Sequence, residues 1–146
     1  MKGLRGLFIR KIVITLVFLC IPLLFFPPSL YVSLGIPSPQ PMLFVRLLGV
    51  AYLALLAGYY GGIKALDNNQ NPLFAIDMGI ISNGAGGLVL LYFGFTGGWS
   101  GWSSGARIYM WLITVGAWLI TFNLCRARGV HGSDQANRQE HGQAAP

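Results

Sequence analysis

The sequence predicts an all-α membrane protein, a four-helix transmembrane bundle, and three observations carry that prediction. The first is a shortage of charge. Only 10% of the 146 residues are charged, against roughly 25% in soluble domains, so the chain cannot cover a water-facing surface. The second is four long apolar runs, near residues 8–26, 42–61, 72–93 and 106–125. Each approaches the roughly 20 residues that carry a helix across about 30 Å of hydrocarbon. The runs are continuously apolar and do not alternate with polar residues, which argues against a β-barrel. The third is the placement of positive charge. Lys2, Arg5, Arg10 and Lys11 stand on the N-terminal side of the first span, Lys64 lies between the second and third, and Arg126, Arg128 and Arg138 follow the fourth. The two other connections carry only Arg46 and Arg107, each just inside the helix that follows. Lys and Arg collect on the cytoplasmic side of a membrane, so an even number of spans with both termini in the cytoplasm is expected. The net charge of +6 is then a topology signal with some attraction to anionic lipid head groups, and not a nucleic-acid footprint.

Residues 1–128 form one domain on this reading. The opening has the basic start of a secretory signal, but its apolar run is long and "FFPPSLYVS" offers no small-x-small cleavage site, so a retained first helix is expected. Within it Pro22 deprives the Phe18 carbonyl of its donor and bends the outer end. Residues 27–41 make the longer outer connection. Pro28 suits a helical first turn and Gly35 a stop, with Leu30, Tyr31 and Leu34 on one face of a short surface helix. Pro37, Pro39 and Pro41 then stiffen the return. The second helix carries a small-residue row of Gly49, Ala54, Ala57, Gly58 and Gly61, and its end places Tyr59 and Tyr60 at head-group level. Asn71-Pro72 reads as a cap and first helical residue of the third helix. Trp99 and Trp102 in the next loop are expected as interfacial anchors. Residues 129–146 are polar and poor in large apolar groups, the composition of a disordered tail. His131 and His141 lack metal-ligand spacing, and Cys20 and Cys125 lie at opposite depths as packing residues.

The third helix raises the functional question. "IISNGAGGLVLLYFGF" places an Asn and three glycines in the first half of a greasy segment. Lipid tails are as apolar as leucine, so membrane helices are held by close packing and interhelical hydrogen bonds. Gly79, Asn83, Gly86 and Gly87 fall on one stripe, flanked by Ser82, and are expected to meet the small-residue row of the second helix. Asn83 lies near the midplane, where an unpartnered amide costs several kcal/mol. Tyr52, Thr114 and Thr15 have comparable depth. A packing hydrogen bond is one reading of Asn83, and a polar site for a substrate or ion is the other. Arg46 and Arg107 are placed to snorkel outward. Asp77 sits where the helix dipole favours an anion, with Tyr59, Tyr60, Thr121 and Asn123 nearby in depth. Arg46, Tyr52, Asp77, Ser82, Asn83 and Gly87 form the candidate polar and packing set.

No Ser-His-Asp set, HExxH, CxxC or Walker loop is present, so neither an enzyme nor a metal or cofactor site is expected. The run "FFPPSLYVSLGIPSPQPMLFVRLLGVAYLALLAGYYGG" with "GIISNGAGG", most recognisably Arg46-Leu47-Leu48-Gly49 and Ser82-Asn83-Gly84, resembles the DoxX-like family of small bacterial four-helix membrane proteins. The resemblance covers residues 8–125 and implies a compact bundle in the inner membrane. Some relatives partner quinone-linked or redox membrane enzymes, but no residue here carries that role over. The expected function is a non-enzymatic accessory or scaffold subunit, partnered by membrane lipid and by another membrane protein or a second copy. The alternative is a small transporter or binder of a lipophilic ligand such as a quinone or lipid. A scaffold needs tight packing around Asn83, whereas a binder needs a concave pocket with convergent polar groups.

Overall fold

The computed structural model describes the backbone of residues 2–37 and 41–143, and the side chains of residues 3–37 and 41–129. Helices account for every regular element among them: α1 (Lys2–Thr15), a π-helical turn (Leu16–Cys20), α2 (Ile21–Phe25), α3 (Pro28–Ser33), α4 (Met42–Asp67), α5 (Leu73–Phe95) and α6 (Ser104–Gln143). Four stretches are long and apolar enough to cross a membrane: Gly3–Phe25, Met42–Asp67, Leu73–Phe95 and Ser104–Gly129. Their outward faces carry exposed apolar side chains such as Phe44, Ile81, Leu112 and Phe122, as lipid-facing helices do.

At the end that holds the N-terminus, the helices run further than the apolar runs suggest. The first starts at Lys2 and not near residue 8, and the second continues to Asp67 and not to 61. The added turns bury side chains. Leu4 and Phe8 of α1, Tyr59, Ile63 and Leu66 of α4, Ala75 and Ile76 of α5 and Leu124 of α6 form one apolar cluster. Phe8 and Tyr59 meet with ring centroids 5.6 Å apart. Two exposed ion pairs edge this plug, Arg5 with Asp67 at 3.0 Å and Arg128 with Asp77 at 2.6 Å. The backbone of α6 stays helical to Gln143, through the segment whose composition reads as a disordered tail. No proline interrupts residues 129–143, and Ala, Arg, Gln and Glu there are good helix formers.

Gly79, Gly87 and Gly94 of α5 pack against α6, with Tyr59 of α4 also at Gly79, and none of them meets the small-residue row of α4. A methyl group at Gly87 would stand 2.9 Å from Trp118 Nε1, one at Gly94 2.8 Å from Trp111, and one at Gly79 2.6 Å from Leu124. Each glycine is a notch for a large side chain of α6. The register is simple, because Trp111 and Trp118 have the same seven-residue spacing as Gly87 and Gly94. The small row of α4 is shared out instead. Gly49 admits Leu24 of α2, Gly58 admits Met78 of α5, and Gly62 faces Ala75 and Phe8.

At the opposite end the first span stays helical to Phe25, but a π-helical turn, Leu16–Cys20, precedes Pro22. The Phe18 carbonyl, whose i+4 position is occupied by Pro22 with no N–H, accepts from Tyr109 Oη of α6 at 2.6 Å. Tyr31 Oη donates to the Pro22 carbonyl at 2.8 Å. Arg46 does not reach for the surface, because its guanidinium donates to the Leu23 and Phe26 carbonyls, both at 2.7 Å. It caps α2 from α4, satisfying carbonyls that a helix end leaves bare. α3 supplies the expected short helix, and Gly35 ends it at a φ of 73°, a backbone conformation open to glycine at little cost. Trp99 is buried against Trp111 with ring centroids 5.4 Å apart, so it packs the loop onto α6 and does not anchor at an interface.

Candidate functional site

Between the plug and the Pro22 end lies a cavity of about 280 Å³, lined by residues of the first span, α4, α5 and α6. Its origin is visible in the helices around it. Nothing lies within 4 Å of a methyl group placed at Gly86 or Gly116, so these two lining glycines face open space. The first span and α6 make no extended contact with each other. Most of the lining is apolar, with Leu55, Leu90, Ile113 and Ile120 among its walls.

Polar groups gather at the floor, just above the plug. Lys11 Nζ of α1 donates to Asn83 Oδ1 of α5. The Asn83 amide nitrogen donates to Tyr59 Oη of α4 at 3.0 Å and to the Gly79 carbonyl at 2.7 Å. Asn83 is therefore buried with both ends of its amide satisfied, and one side chain links three helices. Ser82 borders the same floor, its hydroxyl donating to the Gly79 carbonyl at 3.4 Å. Higher in the cavity stand Thr15, Tyr52 and Tyr109. Tyr52 has no hydrogen-bond partner among the described residues, yet no buried side-chain polar atom among them lacks one. Its hydroxyl accordingly opens onto the cavity.

Lys11 is the unusual member. It lies eight residues beyond Gly3 in the first span, roughly 12 Å along the helix at 1.5 Å per residue. A lysine there ordinarily turns its amine back toward the nearer surface, whereas this one holds Asn83. The two described carboxylates, Asp67 and Asp77, are each engaged by an arginine. The Lys11 ammonium has no carboxylate partner among the described residues.

Of the six residues singled out in the sequence, Tyr52, Ser82 and Asn83 meet at this cavity. Arg46 caps α2, Asp77 pairs with Arg128 at the edge of the plug, and Gly87 faces Trp118 on another side of α5. Lys11, Tyr59 and Tyr109 were not among the candidates. Tyr59 is fully buried inside the bundle, while Tyr60 is exposed with the Lys64 ammonium 5.1 Å from its ring. Thr114, Thr121 and Asn123 bond carbonyls of their own helix four residues back and leave Asn83 and Asp77 to other partners. Among the described residues no three His, Cys, Asp or Glu side chains come together as metal ligands. Comparison with family models, with curated proteins and with solved structures finds no match to this chain.

Proposed function

We propose that this chain is a non-enzymatic, multi-pass protein of the bacterial inner membrane that holds a lipophilic ligand inside its bundle. The observation that supports this reading is the cavity beside Asn83, apolar in its walls and polar at its floor. Small-molecule sites are mostly apolar concavities of about 300–1,000 Å³ with a few convergent polar groups that fix orientation. A cavity of about 280 Å³ falls at the small end of that range. A scaffold or accessory subunit would be held by side chains packed around Asn83, and the open space at Gly86 and Gly116 favours the binder. Both termini in the cytoplasm belong to the same proposal and rest on the Lys and Arg asymmetry, while residence in the bacterial inner membrane rests on the family resemblance. Kinship with the DoxX-like family also belongs to it, supported by the Arg46–Gly49 and Ser82–Gly84 segments.

Purification in mild detergent with mass spectrometry of the co-purifying material tests the function. Wild type should carry a small lipophilic molecule, and Gly86→Leu, which fills the cavity, should lose it. A stoichiometric protein partner with no bound small molecule would restore the scaffold reading. For topology, reporter fusions after Gly35 and Gly101 should report the periplasm, and one after Arg128 the cytoplasm. A periplasmic signal after Arg128 would overturn the orientation.

A further inference from the structure

The chemistry of the cavity floor narrows the ligand, on the reading that the cavity binds one. Lys11 presents an ammonium at the inner end of a low-dielectric space, and a charge there is costly without an opposite charge to meet it. Asn83 supplies a neutral oxygen only, and Asp67 and Asp77 are occupied elsewhere. The floor therefore lacks one negative charge. The walls lack something different. Along the first span the lining extends from Lys11 to Leu19, and along α6 from Ile120 to Tyr109, roughly 12–16 Å of apolar slot at 1.5 Å per residue. One side of the slot faces the bilayer. Ile14 and Phe18 of the first span and Leu112 of α6 line it, and each is more than half exposed. The first span and α6 make no extended contact along their lengths, and the Tyr109 bond to the Phe18 carbonyl crosses this side.

We infer that the ligand is a single-chain anionic amphiphile, such as a long-chain alkyl carboxylate, which enters sideways from the bilayer between the first span and α6. Its acidic head rests on Lys11 above the plug, and its chain lies along the slot toward Tyr52 and Tyr109. The plug beneath, with Phe8 fully buried beside Tyr59, gives the head no aqueous way in from the N-terminal end. A molecule already dissolved in the membrane has the open side available to it.

Alkyl carboxylates of graded chain length, and alkyl alcohols of the same lengths, titrated into purified protein in neutral detergent test this by calorimetry. Wild type should bind the carboxylate about tenfold or more tightly than the matching alcohol, as a charge-assisted hydrogen bond does relative to a neutral one. Lys11→Met should erase that preference while the alcohol affinity stays, and Lys11→Arg should keep it. Acetate should not compete, because it has no chain. Thermal melting of Lys11→Met without ligand checks that the variant is folded: the midpoint should fall modestly, because Asn83 Oδ1 loses its Lys11 donor, while the transition stays cooperative. Equal affinity for carboxylate and alcohol in wild type, or an unchanged preference in Lys11→Met, overturns the anionic assignment and leaves a cavity for neutral lipids. Binding of neither probe, with Gly86→Leu co-purifying the same material as wild type, overturns ligand binding altogether.

Discussion

Gly86 and Gly87 are neighbours in the chain and belong to opposite kinds of space. Gly87 receives Trp118, whose indole fills the notch as Trp111 fills Gly94, and α5 and α6 are drawn together along that line. Gly86, turned by one residue, meets nothing within 4 Å and opens onto the cavity. The same contrast separates the two ends of the first span. Around Leu4 and Phe8 it is sealed into the plug, whereas at Ile14 and Phe18 its side chains are exposed. A missing side chain in a membrane helix thus has two uses. It lets another side chain in, or it leaves room, and only the neighbouring helix decides which.

The largest expected effect is at the plug. Phe8→Ala should lower stability in detergent by about 3–5 kcal/mol, the cost of truncating a fully buried aromatic ring. Near-wild-type melting would mean that the plug does not hold the bundle. Gly87→Leu comes next, at about 1–3 kcal/mol for overpacking against Trp118, while Gly86→Leu should melt as wild type does. That pair of adjacent substitutions is the sharpest test of the contrast, and equal melting of the two would erase it. Asn83→Leu is expected to cost about 0.6–2 kcal/mol, the range for hydrogen bonds between membrane helices, and Tyr59→Phe less, since Asn83 keeps the Gly79 carbonyl. The smallest effect belongs to the rim. Both ion pairs there are exposed, so Arg5→Gln and Arg128→Gln should each shift stability by about 0–1 kcal/mol, and a larger loss in thermal melts would show that the plug depends on its edge.

The fold was legible in the sequence because four apolar runs and a charge asymmetry are one-dimensional signals. The irregularity at Pro22 was legible for the same kind of reason, since a proline removes a known donor from a known carbonyl. The cavity was only half legible. Asn83, Tyr52 and Ser82 stand out as polar groups at membrane depth. Lys11 does not, because a lysine near the start of a first span counts as a topology marker. Yet Leu4, Phe8, Lys11 and Thr15 follow helical spacing on one face, and three of the four are nearly fully buried. That periodicity carried the missing information. The partner of the α5 glycines was misassigned because small-residue spacing says that something approaches and not what approaches. The matching seven-residue spacing of the two tryptophans on α6 was the available clue.

The hydrogen bond from Tyr109 to the Phe18 carbonyl has a mechanical consequence. Pro22 removes one rung from the first span, and the spare oxygen is claimed by another helix across the open side of the cavity. At that opening the two helices are joined by a directional bond, whereas at the plug they meet through packed side chains, Leu4 and Phe8 with Leu124. Swinging the first span away from α6 exposes a bare carbonyl to hydrocarbon, at a cost of about 2–7 kcal/mol. The phenol is thus a catch between the two helices that a single substitution, Tyr109→Phe, removes.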